Sequence, residues 1–143
     1  MSPPAWFFTA LVAMPALHVV APGARWLDAP WTLLGSIPIA LGALLHAAAL
    51  RALRSAGTTP DPKGRPAYLV RRGPYARTRN PMYLAGLPIL LGVEVLLGTT
   101  TPALIVPAYW LGAMRWIALE EVALARRFGA AWDDYRAAVP RWL

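Results

Sequence analysis

Between Trp31 and Leu50 the chain runs for 20 residues without a charged side chain. Such a run has the length an α-helix needs to cross the hydrocarbon core of a bilayer, about 20 residues. Inside lipid the backbone N–H and C=O groups must be paired within the segment, so helix is the conformation open to it. Gly35, Ala40, Gly42, Ala43 and Ala47 lie along this stretch and are expected to let a neighbouring helix approach closely. Pro38 is expected to kink it, and Arg51 and Arg54 close it.

Three further apolar stretches share the pattern. Together they predict an all-α membrane bundle of about four spans, near residues 5–21, 31–50, 82–98 and 102–119, followed by an amphipathic C-terminal helix. The first stretch starts without a basic n-region and is expected to be a retained span, not a cleaved signal peptide. It is short and holds Pro15 and His18, so a kink or a thinned bilayer is expected there. Trp26 and Trp31 stand where interfacial aromatics anchor. Composition agrees: 57% of the residues are hydrophobic, 15% are charged and the mean hydropathy is +0.44. One domain accounts for all 143 residues.

The net charge of +7 would suggest a nucleic-acid partner if it lay on a soluble face. It does not. Arg51, Arg54, Lys63, Arg65, Arg71, Arg72, Arg77 and Arg79 fall between the second and third apolar runs. Arg115, Arg126, Arg127, Arg136 and Arg141 fall at or beyond the last, and only Arg25 lies elsewhere. This is the distribution of the positive-inside rule, which puts the loop, the tail and both termini in the cytoplasm. No cysteine is present, so disulfides, thiolate metal sites and a thiol nucleophile are excluded.

The chemistry-bearing residues collect in the polar stretches. The segment Ser55–Asn80 carries prolines and charges and reads as a long loop, which in so small a chain is more often functional than idle. It ends in Leu69–Tyr83, LVRRGPYARTRNPMY, where Pro81 suits the first position of a helix and Asn80 is the expected N-cap, its side chain accepting from an orphan backbone N–H. The turn GTTTP then makes the third and fourth runs a helical hairpin. Past the pair Glu120–Glu121, Leu124, Phe128, Trp132 and Tyr135 repeat every three to four residues against Arg126, Arg127, Asp133 and Asp134, with Gly129 as an interruption. This amphipathic helix is expected to lie on the membrane surface or to roof the loop.

Two spaced strings carry a resemblance: GPYARTRNPMYLAG at Gly73–Gly86 and EEVALARRFGAAWDDYRAAVPRW at Glu120–Trp142. In order and spacing they resemble the isoprenylcysteine carboxyl methyltransferases and their phospholipid methyltransferase relatives. The resemblance implies an enzyme that binds S-adenosylmethionine at the cytoplasmic face, in residues 69–83 and 115–143, and methylates a lipophilic acceptor arriving from the bilayer. A prenyl-cysteine carboxylate, a phospholipid amine and other small lipophiles all remain open as acceptors. Carried over by position, Asn80, Pro81, Tyr83 and Glu120 are cofactor contacts, with Tyr75, Arg79 and Tyr135 beside them. Glu120 and Arg115 are the expected catalytic residues. Arg115 stands one position off the family's spacing, and position 80, often histidine in the eukaryotic enzymes, is asparagine here.

Plainer readings exist for each residue taken singly. Asn80–Pro81 starts helices wherever it occurs. Glu120 and Glu121 would serve as interfacial partners of Arg72, Arg126 or Arg127, and the stripe Phe128, Trp132, Tyr135 would serve as packing. Glu94 is an ionisable group within an apolar span, a placement that marks either function or a reach to the far interface. His18 and His46 lie on separate helices without metal-site spacing, so no metal is expected. The competing assignment from another class is a non-enzymatic scaffold or transport subunit whose basic loop binds anionic lipids. Four spans leave room for a lipid or a second subunit to complete the site.

Overall fold

The computed structural model describes residues 3–58 and 68–143; the part of the loop that holds Lys63 and Arg65 lies outside the described residues. Five α-helices form: α1 (Pro3–Val20), α2 (Ser36–Ser55), α3 (Pro81–Leu97), α4 (Ile105–Phe128) and α5 (Ala130–Ala138). Short 3₁₀ turns at Trp31–Gly35, Gly73–Ala76 and Thr101–Leu104 precede α2, α3 and α4. No strand is present among the described residues.

Two helical segments, Trp31–Ser55 and Thr101–Phe128, are long and apolar enough to cross a membrane, and two shorter apolar helices, Pro4–Val20 and Pro81–Leu97, pack with them. The 17 residues of α3 extend about 26 Å, a few Å less than a typical hydrocarbon core. Apolar side chains point outward along the bundle: Leu44 is 63% exposed and Leu111 67%. In water such a surface would drive aggregation, whereas lipid tails cover it without cost.

The glycines of α2 and of the 3₁₀ turn before it do meet a neighbour. A Cβ placed on Gly42 would lie 2.6 Å from the Ala85 carbonyl oxygen and from an Ile89 side-chain carbon. One on Gly35 would strike the Gly92 carbonyl and come within 2.8 Å of Leu96 N. Two turns on in α2 therefore correspond to two turns back in α3, so the helices run antiparallel at a distance that only glycine permits. On the other side of α3, Met14, Leu90, Tyr109, Ala113 and Ile117 bury together between α1, α3 and α4.

At one end the connectors clasp each other: Trp26 N donates to Gly98 O at 3.0 Å, Thr100 N to Ala24 O at 3.0 Å, and His18 Nδ1 lies 2.8 Å from Thr99 Oγ1. Gly98, at φ 64°, ends α3 in the left-handed conformation that glycine adopts freely. The opposite end holds the close of α2, the start of α3 and the close of α4.

Three boundaries depart from the sequence-based expectation. Pro38 lies in the first turn of α2, where its missing N–H has no helical partner to lose, so it starts the helix and does not kink it. Helix α2 continues past Leu50 to Ser55 and so carries Arg51 and Arg54 within it. Helix α4 runs unbroken past residue 119 to Phe128, because Glu120 through Phe128 are good helix formers and the first residue to interrupt them is Gly129, at φ 51°. The glutamate pair consequently sits inside a rigid helix and not at a frayed end.

Candidate active site

Gly73, at φ 62°, turns the chain into the 3₁₀ turn Gly73–Ala76. The backbone N–H groups of Arg77 and Thr78 then both donate to Pro74 O, at 3.1 and 3.2 Å. This brings Thr78, Arg79 and Asn80 down onto the start of α3. Thr78 is fully enclosed; its Oγ1 accepts from Asn80 N at 3.2 Å and donates to Arg141 O at 2.8 Å. Pro81 is buried at the head of α3.

Asn80 occupies the N-cap position, yet its side chain caps nothing. Its Nδ2 instead donates to Arg141 O at 3.3 Å. The backbone here has φ −128° and ψ 50°, and Thr78 Oγ1 accepts from the N–H of Asn80, so Asn80 is tied to the loop by its backbone and to the tail by its side chain.

From this platform two side chains reach α4. Tyr83 OH donates to Glu120 Oε1 at 2.9 Å, and Tyr109 OH donates to Tyr83 O at 3.2 Å, fixing the backbone below it. Arg79 Nη2 lies 3.3 Å from Glu121 Oε1. Arg141 takes the same carboxylate, through Nε to Oε1 at 3.2 Å and through Nη2 to Oε2; these bonds raise the Arg141 pKa above its ordinary value. The adjacent glutamates thus divide, Glu120 to a phenol and Glu121 to two guanidinium groups, and neither pairs with Arg72, Arg126 or Arg127.

The Arg79 side chain is only 9% exposed. Its Nε and Nη1 have no hydrogen-bond partner among the described residues. Its guanidinium carbon lies 5.6 Å from the centroid of the Trp132 ring, within cation–π range. Beside it opens a cavity of about 110 Å³ whose walls include Leu53, Tyr75, Leu124, Trp132 and Tyr135. Tyr135 OH donates to Tyr75 O at 2.7 Å, tying α5 to the 3₁₀ turn. Burial pushes the Tyr135 phenol up to about 12, so it remains a donor at ordinary pH. Burial also raises the Tyr75 phenol, with Tyr135 and Glu120 adding to the shift. Arg71 Nη2 donates to Ala131 O, and its guanidinium lies 5.7 Å from the Tyr135 ring. The tail helix therefore roofs the loop.

Tyr75, Arg79, Asn80, Pro81, Tyr83, Glu120 and Tyr135 thus meet at one end of the bundle. Arg115 does not join them. It is exposed and stands five residues before Glu120 on α4, about 140° around the helix. Three contributors lay outside the expected set: Thr78, Trp132 and Arg141. The V-P-R-W ending was the one sequence signal that pointed to Arg141.

A platform, a half-buried glutamate pair and an aromatic roof come together here on a membrane bundle. The family described as phospholipid methyltransferase matches residues 31–131. The chain belongs to the phospholipid methyltransferase family. It is accordingly a membrane enzyme of a class that methylates lipophilic substrates. No curated protein matches the chain. The phospholipid methyltransferase match begins at the turn that leads into α2 and stops one residue short of Trp132, so α1 and the closing part of the tail lie outside it.

Proposed function

We propose that the protein transfers a methyl group from S-adenosylmethionine to an amine-bearing lipid, at the cytoplasmic face of the membrane. The observation that carries this reading is the division of charge at the site: a half-buried Glu120 held by Tyr83 and, paired with the neighbouring Glu121, an Arg79 with two open buried donors. The cofactor has a carboxylate, an ammonium, a sulfonium and an adenine, and the residues present fit each. Arg79 supplies donors for the carboxylate, Glu120 a counter-charge for the cations, and Tyr75, Trp132 and Tyr135 aromatic faces for the base.

When bound, the cofactor supplies an activated methyl carbon on a good leaving group. The protein's part is then to position the acceptor and exclude water, which is where most of the rate enhancement of a displacement can arise. A carboxylate acceptor would meet Glu120 with like charge; of Arg115 and Arg79, the two groups expected to orient it, Arg115 is exposed elsewhere on the helix and Arg79 is the one assigned above to the carboxylate of the cofactor. An ammonium acceptor would be drawn to Glu120, which would also take its proton before attack. Tyr83 holds that carboxylate in place. The concentration of arginines at this end supports its placement on the cytoplasmic side.

Purified protein with methyl-tritiated S-adenosylmethionine should label ethanolamine-headgroup lipid in mixed vesicles and leave a prenylated cysteine unlabelled. Labelling of the prenylated cysteine alone would refute the amine assignment. Absence of any cofactor-dependent label, with retention on anionic vesicles that falls with salt, would favour a lipid-binding scaffold.

A further inference from the structure

The family match ends at residue 131, yet the last residues of the chain hold the site's platform. Pro140 O accepts from Arg79 N at 3.0 Å. Arg141 O accepts from both Thr78 and Asn80, and the Trp142 ring packs on Trp110 with centroids 4.5 Å apart. The Arg141 side chain is 37% exposed and is not among the residues that line the cavity, so it does not itself face a bound ligand.

Its effect passes through Glu121. A lone arginine beside a carboxylate takes both oxygens with two of its nitrogens. Arg141 holds both Glu121 oxygens in that way, and Arg79 reaches Oε1 with Nη2 alone. Nε and Nη1 of Arg79 stay buried and unsatisfied beside the cavity. A buried donor left open in this manner costs free energy until something accepts from it.

We infer that Arg141 is a positioning residue: by occupying Glu121 it keeps two Arg79 nitrogens open for the carboxylate at the amino-acid end of the cofactor. The inference rests on the cofactor reading above. Without Arg141, Arg79 would turn onto Glu121 with two nitrogens and withdraw donors from the cavity.

The test compares two ligands by calorimetry on each variant: S-adenosylhomocysteine, which carries the carboxylate, and 5′-methylthioadenosine, which lacks the amino-acid end. Arg141→Met should weaken the first about tenfold or more, the worth of a charged hydrogen bond, and leave the second within about twofold. Arg141→Lys, which retains a cation for Glu121, should recover most of the loss. The ratio of the two affinities is read within one sample, so a partly unfolded fraction leaves it unchanged. Equal weakening of both ligands, or unchanged binding of S-adenosylhomocysteine, would overturn the role of Arg141. Wild-type protein that binds neither ligand would overturn the cofactor reading and this role with it.

Discussion

Toward α2, helix α3 offers Ala85, Ile89 and Gly92, and toward α4 it offers Tyr83, about 160° around from Ala85. The first face meets the glycines of α2 at a distance set by carbonyl oxygens and uses no side-chain hydrogen bond among the described residues. The second reaches a carboxylate at 2.9 Å. One face gains its stability from close packing, where volume is what counts. The other spends stability on a part-buried polar pair that holds both groups in one place. The contrast teaches where substitutions should harm the fold and where they should harm the reaction.

The largest effect should come from filling the packing face. Gly42→Leu forces a side chain into the Ala85 carbonyl, an overpacking penalty of about 1–3 kcal/mol or more, and should lower both the unfolding temperature in detergent and the yield of folded protein. On the polar face Glu120→Ala should cut methyl transfer by about a hundredfold, on the order of what a positioned acid–base group contributes, while unfolding shifts little. Tyr83→Phe removes one hydrogen bond and should cost about tenfold in rate. Arg115→Ala, exposed and off the site, should stay within about twofold of wild type. A Glu120→Ala protein that unfolds with its activity intact when folded would erase the distinction between the faces.

The apolar runs made the helices legible from the sequence, because lipid leaves a charge-free segment of that length few alternatives. Glu120 and Tyr83 were legible only through the joint spacing of two strings, since neither residue is unusual alone. Asn80 stands at the N-cap position that the sequence predicts but makes a different contact. Its amide bonds to a carbonyl 61 residues away, and a cap assignment weighs only near neighbours. The V-P-R-W ending marks Arg141 but not its partner, which lies 20 residues away on another element, and nothing local marks Thr78, whose hydroxyl joins the loop to the tail. Pro38 misled because a proline within an apolar run reads as a kink until the helix start is known, and the 3₁₀ turn that moves that start to Ser36 has no strong sequence mark.

The polar face of α3, the glutamate pair and the tail are proposed to hold S-adenosylmethionine together. Calorimetric titration of the purified protein with S-adenosylmethionine and, separately, with NADPH tests it most directly, with Arg79→Met as the paired variant. Saturable binding of S-adenosylmethionine, none of NADPH, and a loss of about tenfold or more in the variant are expected. Binding of neither cofactor, or S-adenosylmethionine binding that Arg79→Met leaves unchanged, would contradict the proposal.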